Sequence, residues 1–177
     1  VSVSPLLCPI PTVQTVHDLA FEVAPEFYPK MAILYRRFAL RRACRKARRI
    51  VTPSESTKKD LVSFMGVSEE KIAVVYPYVS LHCSDASPEA LASMRHKYGL
   101  PDKYVLHVGL PHGRKNLSNL VKAFEIVKVK GDVPHKLVLA GPMGWAVESL
   151  LEDIARSPVK DSIVVTGFVF EDDLPLL

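Results

Sequence analysis

Arg114 and Lys115 stand side by side at the end of a glycine-punctuated stretch, residues 103–116, which reads KYVLHVGLPHGRKN. Two adjacent cations behind Gly109, Pro111 and Gly113, where a helical pattern begins at Asn116, suit the binding of an anion. A helix N-terminus presents backbone N–H groups that lack intrahelical partners, and the helix dipole adds roughly half a positive charge there, so phosphate and pyrophosphate are favoured. The plain alternative is a turn whose Arg and Lys lie in solvent, and the residue types alone weigh the two equally. A P-loop fits poorly. It needs four residues between its glycines, then Lys and a hydroxyl for magnesium. Here three residues separate Gly109 from Gly113, Arg114 intervenes, and Asn116 takes the hydroxyl position.

A second polar pair, His17 and Asp18, follows a short β-rich run at 12–16, so a strand delivers both to its C-terminal edge. Ligands gather at that edge in open α/β sheets. Taken as residue types, the two favour plainer roles: a hydrogen-bonded histidine at a strand end and an aspartate that caps a turn. Cys8, Cys44 and Cys83 are odd in number and show no CxxC spacing, which argues against a disulfide framework or a zinc site. They read as structural thiols of a reducing compartment.

The elements that must position these groups follow from periodicity. Apolar, partly β-branched runs predict strands at 12–16, 49–53, 71–76, 104–108, 136–140 and 162–166. Between them, helices are expected at 26–49 with a break near Pro29, at 54–64 with a serine N-cap and Gly66 as its stop, and at 88–98. Another starts at 116 and buries one face through Leu117, Leu120, Val121, Phe124 and Val127, and a last one spans 145–155 after a loop at 141–144. The order βαβαβ occurs twice, on either side of a proline- and serine-bearing stretch near 77–88. This predicts parallel sheets with helices on their faces and a domain boundary in that stretch. Residues 1–80 hold 12 Lys or Arg against 7 Asp or Glu, and 81–177 hold 11 against 12, so the basic excess belongs to the first part. Pattern alone leaves open one six-stranded sheet or two Rossmann-like domains.

The 177 residues, 48% hydrophobic and 24% charged, suffice for one ordinary core or two small ones. No stretch approaches the roughly 18 to 20 apolar residues of a membrane span, and none reads as a signal segment. The start at Val1 and a helix-like beginning at 171–177 lead to the expectation of a segment from a longer protein. The most cationic stretch is 36–49, with eight Arg or Lys and no acid. Such a helix suits anionic lipid headgroups, where each basic residue contributes about 1 kcal/mol. The plain alternative is a solvated face with Met31, Leu34, Phe38 and Ala43 packed inward. Nucleic acid is the weaker partner, because few aromatics stand among the cations to stack bases.

Six motifs, in this order, resemble family 4 glycosyltransferases: HDLAF (17–21), RRIVTPSESTKKDLV (48–62), EEKIAVVYPYV (69–79), YVLHVGLPHGRKNLSNLVKAFE (104–125), KLVLAGPMGW (136–145) and IVVTGFVFEDDLPLL (163–177). The likeness is closest to the bacterial mannosyltransferase-like branch that builds polysaccharides and glycolipids. It implies an α/β fold of GT-B type: two Rossmann-like parallel-sheet units, each incomplete here. Residues 1–80 would be the second half of the N-terminal, acceptor-side domain, and 81–177 the first half of the C-terminal, donor domain. A glycine-rich loop would precede Val1 and a donor-binding glutamate segment would follow Leu177, so the chain alone is expected to be inactive.

The resemblance implies transfer of a hexose such as mannose from a nucleotide-diphosphate donor, for example GDP-mannose, to a glycan or lipid-linked hydroxyl with retained anomeric configuration and without a metal or other cofactor. Lys115 would grip the diphosphate with Arg114 beside it, and His17 would reach the donor sugar across the cleft between the domains. Gly109, Gly113 and Asn116 belong to the donor loop, while Gly167, Phe168 and Val169 would receive the nucleotide base. Two departures stand out. Leu110 occupies a place where some relatives carry arginine, and Pro77-Tyr78 replaces the usual NG turn. The expected location is cytoplasmic, and the cationic stretch 36–49 suggests peripheral contact with an anionic membrane at its inner face. A non-catalytic phosphate-binding module and a sugar-nucleotide epimerase of the same fold are the alternatives.

Overall fold

The computed structural model describes residues 9–78, 86–131, 133–142 and 147–177. Cys8, Cys83, Trp145, most of the linker and part of the 141–144 loop lie outside the described residues. The chain divides into two compact units, Val1–Ser80 and Leu81–Leu177. Each holds a three-stranded parallel sheet whose strands lie in sequence order, and a single sheet through both is thereby excluded.

In the first unit, β1 (Val13–Thr15), β2 (Arg49–Thr52) and β3 (Ile72–Val74) pair in parallel, with Gln14, Ile50 and Ile72 in one register row. Parallel neighbours need crossover connections, and α1 (Ala20–Val23), α2 (Lys30–Lys46) and α3 (Glu55–Met65) provide them. The predicted 26–49 helix is therefore shorter. Pro29 precedes α2, and a 3₁₀ turn at Pro25–Phe27 comes before it, because proline removes the N–H that a continuous helix would use. The core joins Leu19, Phe21, Leu40, Cys44, Ile50 and Leu61.

Both ends of α3 are capped. Ser54 Oγ accepts a hydrogen bond from the Thr57 N–H at 3.1 Å, and Gly66 ends α3 in the left-handed conformation. Lys71 Nζ donates to the carbonyls of Cys44 at 2.6 Å and Arg45 at 3.1 Å, closing the C-terminus of α2 from the neighbouring connection. Cys44 is buried and free, and burial pushes its thiol up to about 11.

In the second unit, β4 (Tyr104–Val108), β5 (Lys136–Ala140) and β6 (Ile163–Gly167) form the sheet. Side chains alternate across it. Leu137, Leu139, Ile163 and Val165 pack against Leu117, Val121 and Phe124 of α5 (Leu117–Lys130) and Leu150 of α6 (Val147–Arg156). Tyr104, Leu106, Val138 and Val164 meet Met94 of α4 (Pro88–Tyr98) and Leu176 on the opposite face. Val127, expected inside, is exposed near the end of α5. The segment at 171–177 forms a 3₁₀ helix, Glu171–Leu176, that contains Pro175.

Candidate functional site

Three neighbouring strands of the second sheet run into glycine at their C-terminal ends, and each glycine has positive φ: Gly109 at 144°, Gly141 at 153° and Gly167 at 74°. The Gly109 N–H donates to the Ala140 carbonyl at 2.8 Å, and the Gly141 N–H donates to the Gly167 carbonyl at 2.9 Å. β6 carries a register shift opposite Leu139 and Ala140, which brings Gly167 level with Ala140. The edge where a ligand would sit is thus bare backbone at three adjacent places.

From Gly109 the chain passes Pro111 and enters a 3₁₀ turn at Gly113–Lys115. His112 shapes this turn: its Nδ1 accepts from the Arg114 N–H at 3.2 Å, and its carbonyl accepts from the Lys115 N–H at 2.7 Å. Asn116 then adopts φ 56°, ψ 40°, and α5 begins at Leu117 rather than at Asn116. The reason is local. Asparagine tolerates the left-handed region, and there it turns the chain sharply between the 3₁₀ turn and the helix. The Asn116 carbonyl accepts from the N–H groups of Asn119 and Leu120, but its side chain does not cap the helix. The amides of Leu117 and Ser118 are therefore not consumed by an Asn116 side-chain cap. A hollow lined by Pro111, His112, Gly113, Asn116, Ser118 and Ser149 lies at this helix start.

Arg114 and Lys115 are exposed beside it. Lys115 also makes itself felt inward. His107, one residue before the end of β4, has a buried Nε2 with no hydrogen-bond partner among the described residues. Burial, and secondly the Lys115 charge, hold its pKa below the ordinary histidine value. Sequence reasoning assigned His107 no role; the visible signal was one polar residue interrupting an apolar strand just before a glycine turn. Among the described residues, no three His, Cys, Asp or Glu side chains converge as a metal-ligand set.

The structure thus gathers Gly109, Gly113, Arg114, Lys115 and Asn116 at one strand end, with Gly167 two strands away on the same edge. Beyond Gly167, Phe168 is exposed and meets Phe170 edge to face at 5.3 Å, while Val169 is buried. His17 belongs to the first unit. Its side chain is exposed, and its carbonyl accepts from Thr57 Oγ1 at 3.2 Å. Asp18 takes the plainer role, accepting from the Ala20 N–H at 3.0 Å at the start of α1.

Comparison with known proteins bears out the resemblance. Residues 3–82 match the model of Glycosyltransferase Family 4. The chain is 26% identical over 166 residues to O-antigen chain mannosyltransferase B of Escherichia coli, covering 93% of this chain and 44% of that protein. It is 27% identical over 165 residues to O-antigen chain mannosyltransferase RfbU of Salmonella typhimurium, covering 92% and 41%. Among solved structures, Anabaena HepE in complex with UDP-glucose superposes with a TM-score of 0.73 at 22% identity, over 94% of this chain and 43% of that one. WaaG, a glycosyltransferase involved in lipopolysaccharide biosynthesis, gives 0.66 at 14% identity, over 94% and 48%. The fold is that of GT-B glycosyltransferases, and the chain spans less than half the length of each of these four proteins.

Proposed function

With the family 4 glycosyltransferase relationship as premise, we propose that this chain supplies the diphosphate grip of a retaining hexosyltransferase. The enzyme would move a sugar such as mannose from a nucleotide-diphosphate donor to a hydroxyl of a glycan or lipid-linked acceptor. In this reading Val1–Ser80 contributes the acceptor side and Leu81–Leu177 the donor side. The reading carries a cytoplasmic location with it. The observation that bears most weight is the convergence of the glycine-floored edge, the Gly113–Lys115 turn and the side-chain-uncapped start of α5. The mannosyltransferase names of the relatives support the choice of sugar.

The chemistry follows from where charge develops. As the bond between the anomeric carbon and the β-phosphate oxygen breaks, negative charge grows on that phosphate. Lys115, Arg114 and the first amides of α5 are fixed positive groups at one place, and such groups stabilise the charge without reorganising. The acceptor oxygen bonds to the anomeric carbon, and its proton passes to the departing phosphate. No metal or further cofactor enters this scheme. His17, at the strand end of the first unit, is assigned to the donor sugar, and the backbone at Gly167, Phe168 and Val169 to the base.

The test is a transfer assay on the full-length protein that contains this chain, with GDP-mannose and UDP-glucose each carrying labelled sugar, followed by NMR of the new linkage. Transfer with an unchanged anomeric configuration supports the proposal. An inverted linkage, an epimerised donor or binding without turnover would each contradict it.

A further inference from the structure

Two segments distant in the sequence of the second unit meet around one carboxylate. Asp173, in the 3₁₀ helix Glu171–Leu176, accepts through the same oxygen, Oδ2, from Lys97 Nζ at 2.6 Å and from the Tyr98 hydroxyl at 2.6 Å. Lys97 and Tyr98 are the last two residues of α4, which Gly99 ends in the left-handed conformation. The Lys97 ammonium, and secondly the Tyr98 hydroxyl, hold the Asp173 carboxyl below its usual range. A hydroxyl has one proton to give, and Tyr98 gives it to this anion, so only its lone pairs remain for other partners. They accept the Phe170 N–H at 3.4 Å. Lys97 Nζ also lies 5.1 Å from the centre of the Phe170 ring, within cation–π reach.

This cluster fixes the segment that leaves β6. Gly167 turns the chain off the sheet edge, Phe168 and Phe170 are 59 and 58% exposed, and Val169 alone is buried. One valine is a slender anchor for two exposed phenyl rings. The far end is held instead at Asp173: its N–H and that of Leu174 donate to the Phe170 carbonyl at 3.0 and 3.2 Å, while its side chain reaches α4. Among the described residues no hydrogen bond is found for the N–H groups of Phe168 and Val169. The segment therefore offers free backbone donors and phenyl faces, which together suit a flat heteroaromatic ring with a hydrogen-bonding edge.

Building on the donor reading of the preceding section, we propose that Lys97, Tyr98 and Asp173 are positioning residues for the nucleotide base, acting through the Phe168–Phe170 segment. A segment ordered before the ligand arrives loses less conformational entropy on binding, so the cluster raises affinity without a contact of its own. The effect is confined to the base. Arg114 and Lys115, the groups assigned to the diphosphate, follow β4, two strands away from β6. The neighbouring ion pair at the end of α4, Arg95 with Asp102 at 2.8 Å, ties the helix to the turn before β4 and has no bond to the segment.

The experiment is calorimetric titration of the full-length protein that contains this chain with GDP, UDP and inorganic pyrophosphate. At least one of the two nucleotides is expected to bind more tightly than pyrophosphate. Tyr98→Phe keeps the ring and removes the hydroxyl, and should weaken that nucleotide about fivefold while leaving pyrophosphate unchanged. Asp173→Asn keeps the shape and removes the charge, and should weaken it about tenfold. Arg95→Met is the control and should match the unaltered protein with all three probes, with thermal melts verifying the fold of each variant. Unchanged nucleotide affinity in both Tyr98→Phe and Asp173→Asn would make the cluster a structural clasp and overturn the proposal, as would an equal loss of pyrophosphate binding. Nucleotides that bind no more tightly than pyrophosphate would overturn it while leaving the diphosphate grip standing. Binding of none of the three by the unaltered protein would remove the donor reading and the proposal with it.

Discussion

Gly141 stands against the carbonyl of Gly109 so closely that a Cβ at Gly141 would lie 2.2 Å from the Gly109 oxygen. Two strand ends of the second unit therefore meet backbone to backbone, and no side chain larger than hydrogen fits. Gly99 also has positive φ, but nothing lies within 4 Å of the place its Cβ would occupy.

Gly141→Ala should accordingly destabilise the second unit by about 3 kcal/mol, through overpacking added to backbone strain. Gly99→Ala should cost about 1 to 2 kcal/mol from the left-handed conformation alone. Chemical denaturation of the two variants checks this. Equal losses would contradict the close approach.

Lys71 closes the C-terminus of α2 by donating to two of its last carbonyls. Lys71→Met should cost about 1 to 2 kcal/mol, as these carbonyls lose a charged donor. Lys59→Met, on the exposed side of α3, is the control and should change stability by less than about 0.5 kcal/mol. Thermal melts compare them, and indistinguishable variants would remove the cap from the account.

His107 offers a pH test. Its folded pKa is depressed by burial and by Lys115, so the folded state binds the proton less readily than the unfolded chain. Stability from this group is present above the unfolded value of about 6.5 and is lost as pH falls below it toward the folded pKa. An NMR titration should place His107 below 6.5, and Lys115→Ala should raise it by removing one of the two causes. An unmoved His107 in that variant would separate the two residues.

Much of this architecture was legible because local signals agreed with the packing. The KLVLAG run reads as a buried parallel strand and is one. The KYVLHVG run reads as a strand and forms the sheet edge, with Val105 and Val108 exposed, and Ser54 and Gly66 bracket α3 by ordinary capping rules. Asn116 misled by one residue, because its left-handed backbone depends on the 3₁₀ turn that His112 organises, a contact that no periodicity shows. Phe38 and Leu34 misled because α2 has two apolar stripes, and only the tertiary core decides which is inside. His107 carried no motif value, and its significance lies in a buried nitrogen beside Lys115.

The central claim is the proposal that Lys115 stabilises charge on the departing diphosphate, and turnover of Lys115→Ala in the full-length protein tests it most directly. Lys122→Ala, on the exposed side of α5, is the control, with folding verified independently for both. Loss of one such cation should remove about 2.7 to 4 kcal/mol of transition-state stabilisation, a fall in kcat of roughly two to three orders of magnitude. The apparent KM for the donor should move far less, because the charge is larger in the transition state than in the bound donor. A Lys115→Ala enzyme that turns over as fast as Lys122→Ala would contradict the assignment.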